Sequence, residues 1–178
     1  MASDDSAEVL PRYCGARPFP AYAYFPGEGP HPTRSPQGHS YGRDPEPSSS
    51  AFEWGVDLYN HGYPWEAHEA WENLWRAASP GSADAVFFRG LIQCAAACLK
   101  VRVGRHEAAR RLGARALEHI GCAIQDGVDA RGLDLAVFTT RFAAWLGAEP
   151  IDRVAHPRMQ LRDRVGTKRQ GRPGSDAP

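Results

Sequence analysis

Between residues 50 and 147 apolar side chains recur every three or four positions, the period of helices that each turn one face to a core. Five helices follow from this pattern and its punctuation. Ser50 and Glu53 make a capping box, in which each side chain serves the other residue's backbone N–H. Phe52, Val56 and Tyr59 then share a face, and Gly62 ends the helix. Pro64 suits the first turn of a second helix, where its missing N–H is not needed, and Ser79-Pro80-Gly81 stops that helix near Ala78. A third, over residues 84–103, is apolar nearly all round, as a helix covered on several sides would be. A fourth, over 106–120, carries a stripe of Ala109, Leu112, Gly113, Ala116 and Ile120, small enough for close packing. A fifth, over 135–146, places Leu135, Phe138, Phe142, Trp145 and Leu146 on one face. With short connections and no strand pattern, the fold class is all-α, a compact bundle of about five helices over residues 50–148.

The flanks read differently. Residues 1–49 hold nine of the fifteen prolines, which excludes helix or central strand. Yet Phe19, Tyr22, Tyr24 and Phe25 are too many aromatics for a plain linker. Residues 17–42 are expected as an extended arm laid over the second helix, and 43–50 as a flexible joint. Beyond residue 148 the apolar period stops. Residues 151–178 carry seven Arg or Lys against three Asp, so 149–178 are expected as a basic, disordered tail, and truncating 151–178 is expected to leave the fold and its melting temperature nearly unchanged.

Composition narrows the function classes. The chain has 178 residues and zero formal net charge, so it lacks the overall footprint of a nucleic-acid binder. The first ten residues are acidic without an apolar run, and no stretch approaches the 18 or so apolar residues of a membrane span, so the expected location is the cytoplasm. The four cysteines form no C-x-x-C pair; Cys94 and Cys98 read as small core residues.

Candidate chemistry gathers on the second helix, Trp65-Glu66-Ala67-His68-Glu69-Ala70-Trp71-Glu72-Asn73-Leu74-Trp75. At 100° per residue, Ala67, Trp71 and Leu74 form its apolar arc, while Glu66, Ala70 and Asn73 form its solvent arc. His68 and Glu72 lie between, one turn apart, flanked by Trp75 on one side and by Trp65 and Glu69 on the other. This is the spacing of the metal ligands in H-E-x-x-H with a carboxylate replacing the second imidazole, and Glu69 stands where the general base would. Such donors suit a divalent ion: Zn²⁺, Mn²⁺ or Fe²⁺. Further ligands are expected from His31 and His39, brought close to His68 by the arm. The Glu-x-x-His signature of di-iron bundles occurs only as Glu28-Gly29-Pro30-His31, within a Pro/Gly loop. His106-Glu107 opens a second H-E-x-x pattern that ends on Arg110, and His61, His119 and His156 are expected at the surface.

The motif W-E-A-H-E-A-W-E-N-L-W over residues 65–75, followed by R-G-L-I-Q-C-A-A over 89–96, resembles domain-of-unknown-function family 309. Its hallmark is an H-E-x-x-E-x-x-W helix followed by a helix containing G-L-I-Q. The resemblance covers about residues 50–120. Arg89 departs from it, standing where Gln is expected before G-L-I-Q. The resemblance implies a small all-helical fold and brings no activity, substrate or cofactor.

Three readings therefore stand open, and whether the protein is an enzyme is not decided among them. The first treats His68, Glu69 and Glu72 as a polar seam in which Gln93 or Arg89 of the third helix hydrogen-bonds Glu69 or Glu72, framed by Trp65 and Trp75. The second is a metal-dependent, hydrolase-like site. The third is a non-enzymatic module in which the arm or the Trp-flanked groove receives a peptide or partner helix, with homo-oligomerisation through the arm as a further possibility.

Overall fold

The computed structural model describes residues 10–15, 17–39 and 49–162. Its elements are α1 (Ser49–Asn60), α2 (Pro64–Ala77), α3 (Ala83–Arg102), α4 (His106–Gln125) and α5 (Leu135–Gly147), and the described residues form an all-α bundle. Ser82 caps α3 by accepting from the Ala85 N–H at 3.2 Å, and Asp134 caps α5 through the Val137 N–H at 3.2 Å. Pro64 opens α2 as expected. Two boundaries differ. Ser50 lies inside the first turn of α1 rather than ahead of it. α4 runs past Gly121 to Gln125, because the left-handed residue that ends it is Gly127, at φ +73°, with the Val128 N–H returned to the Ala123 carbonyl.

α3 packs against both α2 and α4, as its all-round apolar sequence requires. The small-residue stripe brings α3 and α4 close: a Cβ added at Gly90 would sit 2.6 Å from Ile120 Cγ1 and 3.1 Å from the Ala116 carbonyl oxygen. α1 is buried more completely than its apolar face alone demands. Every residue from Ala51 to Asn60 is buried except Glu53, and this includes the polar Asp57 and Asn60.

The cover on α1 comes from both flanks of the bundle. Asp57 accepts the Tyr13 N–H at 2.8 Å and the Cys14 N–H at 2.7 Å. Asn60 makes a two-pronged clamp on Met159, donating to its carbonyl at 2.7 Å and accepting its N–H at 2.8 Å. Buried polar groups need such partners, and here backbone from the flanks provides them. Ile151 and Met159 are core residues, exposed 3% and 0%. Leu161 pairs with Leu133 in an isolated antiparallel bridge, and its N–H donates to the Tyr13 hydroxyl at 3.0 Å. Residues 151–162 are thus part of the folded domain, which corrects the expectation of a tail starting at 149. The tail beyond residue 162 and the joint over 43–48 lie outside the described residues.

Candidate functional site

α2 offers two faces with different chemistry. On one, His68, Glu69 and Glu72 each present a donor atom, and the three atoms lie within 4.8 Å of one another. The side chains are 28%, 29% and 25% exposed. His68 Nδ1 stands 3.4 Å from Glu69 Oε1, yet it is buried with no hydrogen-bond partner. Glu72 is bridged at 2.9 Å by Arg76, one turn on. His68 also lines a groove of about 470 Å³ whose walls include Pro26, Trp65, Leu99, Lys100 and Arg105. A cluster able to coordinate a metal ion is therefore present at the edge of a groove.

The other face belongs to the arm. Glu66, assigned to the solvent arc by its helical position, is fully buried, and Ala70 is 6% exposed. Glu66 Oε1 accepts the Tyr24 N–H at 2.9 Å and pairs with His39 Nε2 at 3.1 Å. Burial pushes the Glu66 carboxyl above its ordinary range. Glu66 Oε2 and His39 Nδ1 remain without partners. The arm does pack over α2, with Tyr24 5.4 Å from Trp65, His31 5.6 Å from Trp65, and Phe19 stacked on Trp54 and Tyr63. Its histidines do not complete the expected ligand shell, since neither joins the His68 cluster. Residues 66 and 68 are about 200° apart on the helix, so the His39 that reaches Glu66 is not in the His68 cluster. His31 is held between Tyr24 and Trp65.

The expected seam between α2 and α3 also differs. Gln93 Oε1 accepts from His119 Nδ1 of α4 at 2.9 Å, and the Arg89 guanidinium lies over the Trp75 ring at 5.7 Å. The reason is helical phase: Gln93 sits three residues after Gly90, whose face is the one pressed on α4. His119 is thus a partner for Gln93 rather than a bare surface residue. His156 is a further correction. Its Nε2 donates to the Tyr59 carbonyl at 2.8 Å, its ring lies 4.6 Å from the Tyr59 ring, and burial holds it below the usual imidazole range. Cys94 and Cys98 are buried as expected; Cys98 donates to the Tyr59 hydroxyl at 3.5 Å, and burial pushes its thiol up to about 12. Sequence reasoning missed Asp57 and Asn60, although a signal was there: two polar residues inside an otherwise apolar helix demand partners, as Gln93 did.

Fold and cluster define a small all-helical domain in which a His/Glu/Glu group lies on α2, with Trp65 beside it on the groove wall. No helix among the described residues is long and apolar enough to cross a membrane. Residues 52–112 match the family model of DUF309, a domain of unknown function. The match runs from α1 into the first turns of α4 and contains both motifs that carried the resemblance. No curated protein matches the chain.

Proposed function

We propose that the His68, Glu69 and Glu72 face of α2 is a divalent-metal centre serving a hydrolase-like site in the adjoining groove. The observation that carries this reading is the convergence of three donor atoms within 4.8 Å, one of them a buried imidazole nitrogen with no hydrogen bond. A tetrahedral ion with bonds of about 2.1 Å needs donors about 3.4 Å apart, so the atoms need close by at most about 1.4 Å, which side-chain rotation on a half-buried helix face supplies. Imidazole with two carboxylates suits Zn²⁺, Mn²⁺ or Fe²⁺. Three protein ligands leave coordination positions open toward the groove, where a bound ion would activate water. Glu69, a general base by motif position, becomes the third ligand by proximity. Lys100 and Arg105 on the groove wall would hold an anionic substrate group against the apolar surface of Trp65 and Leu99.

The test is elemental analysis of protein purified without added metal, together with calorimetric titration of Zn²⁺ and Mn²⁺. About one equivalent should bind, and His68→Ala or Glu72→Gln should weaken it by tenfold or more, on the order of 1.4 kcal/mol. Absence of stoichiometric binding by the wild-type protein overturns the proposal. A partner-binding reading without catalysis has its own support in a second groove of about 410 Å³, lined by Trp75, Arg76, Pro80, Val86 and Arg89. It gains ground if metal fails to bind.

A further inference from the structure

A third cleft, of about 160 Å³, opens where four parts of the chain meet: Phe25 of the arm, Gly62 and Pro64 ahead of and at the start of α2, Cys98 and Arg102 of α3, and Arg153 and His156 of the C-terminal segment. None of its lining residues is acidic, in a protein whose 21 basic side chains are matched by 21 acidic ones. Both arginines are exposed, and each guanidinium rests against one neighbour. Arg102 lies over the Phe25 ring at 4.9 Å, and Arg153 is packed on Gly104, with Nη2 3.5 Å from where a Cβ would stand. Among the described residues neither arginine has an ion-pair partner. The acid next in sequence, Asp152, turns its carboxylate back onto the Val154 and Ala155 N–H groups, at 2.8 and 3.0 Å. Two cations positioned by an aromatic ring and a bare backbone, without a neutralising carboxylate, leave fork-shaped donors for an oxyanion.

We propose that this cleft binds a small oxyanion of phosphate size, as a phosphoryl group rather than a carboxylate. His156 supplies the discrimination. Its Nε2–H is spent on the Tyr59 carbonyl, so the other ring nitrogen of the neutral imidazole is an acceptor. A hydrogen phosphate carries a P–OH to donate to it; an ionised carboxylate has no such proton. Because the cleft's two arginines come from α3 and from the C-terminal segment, the bound anion would tie residues 151–162 to the bundle.

Titration of the full chain with inorganic phosphate, against acetate at matched ionic strength, tests the proposal by NMR or calorimetry. Phosphate should bind saturably and raise the melting temperature, with acetate at least tenfold weaker. Arg102→Gln and Arg153→Gln should each weaken phosphate about tenfold or more. Arg111→Gln, whose arginine is paired with Glu107 on the exposed side of α4, should change nothing. Circular dichroism of each variant separates loss of binding from loss of fold. Saturable binding untouched by both cleft substitutions, or none at all, overturns the site. Equal affinity for acetate overturns the phosphoryl preference.

Discussion

The clamp between Asn60 and Met159 gives a sharp test of how residues 151–162 are held. Asn60→Ala removes both prongs and strands the Met159 N–H and carbonyl in a buried place. Each stranded group costs about 1–3 kcal/mol, or about 2–6 kcal/mol for the two. The chain can escape that cost only by releasing the segment, which returns Met159 and Ile151 to water at about 1.5–3 kcal/mol each. Neither route is cheap. At about 2–4 °C per kcal/mol for a chain of this size, the melting temperature should fall by on the order of 10 °C. Asn60→Asp keeps the acceptor for the Met159 N–H but sets a second anionic oxygen against the Met159 carbonyl, so at neutral pH it should be at least as damaging. Thermal unfolding followed by far-ultraviolet circular dichroism reads the first quantity, and hydrogen exchange at the Met159 amide reads the second. A fall of less than about 2 °C in Asn60→Ala, with that amide still protected, would refute the reasoning.

Two further outcomes follow from burial and packing. Burial raises the Glu66 carboxyl above 4.5, so the folded state holds that proton more tightly than the unfolded chain; its contribution to stability is present at low pH and is lost as pH rises through the folded value. Glu66→Gln keeps an acceptor for the Tyr24 N–H without ionising, and should gain stability relative to wild type as pH rises from about 4.5; a difference flat in pH by denaturant titration would contradict this. Gly90→Ala and Gly121→Ala should shift stability in opposite directions. The first forces a Cβ onto Ile120 and the Ala116 backbone at about 1–3 kcal/mol, more than its gain in helix propensity, whereas a Cβ at Gly121 meets nothing within 4 Å and should add about 0.5–1 kcal/mol. Melting curves of the pair that move the same way would show the α3–α4 contact to be looser than described.

Helices were legible because their signals are local. Periodicity, Pro64 and the Ser79-Pro80-Gly81 stop are all read within a few residues of the feature they set. The end of α4 was not legible, because the apolar stripe stops at Ile120 while the left-handed residue that closes the helix is Gly127, which only the backbone conformation shows. The metal-capable cluster was visible because its three members share one helix face. What a helical wheel cannot show is cover by a distant segment. Glu66 points away from its own helix's apolar arc and is buried nonetheless, because Tyr24 and His39 arrive there from some 27 to 42 residues away. Residues 151–162 escaped notice because Ile151 and Met159 are isolated apolar residues with no period. They dock by lending backbone to Asn60, and composition carries no trace of that.

The contact between Tyr13 and Leu161 spans 148 positions, and those from α1 to His156 and Met159 span 97 and 99. Helix pairs joined by short turns form early, since their partners are near in sequence, while contacts across most of the chain carry a large loop-closure cost. During synthesis α1 leaves the ribosome before the other four described helices, yet the backbone groups that satisfy Asn60 come after all of them. Until residue 159 emerges, this buried amide has only water or a chaperone to answer it. The partners that complete the burial of α1 are thus made 99 positions after Asn60 itself.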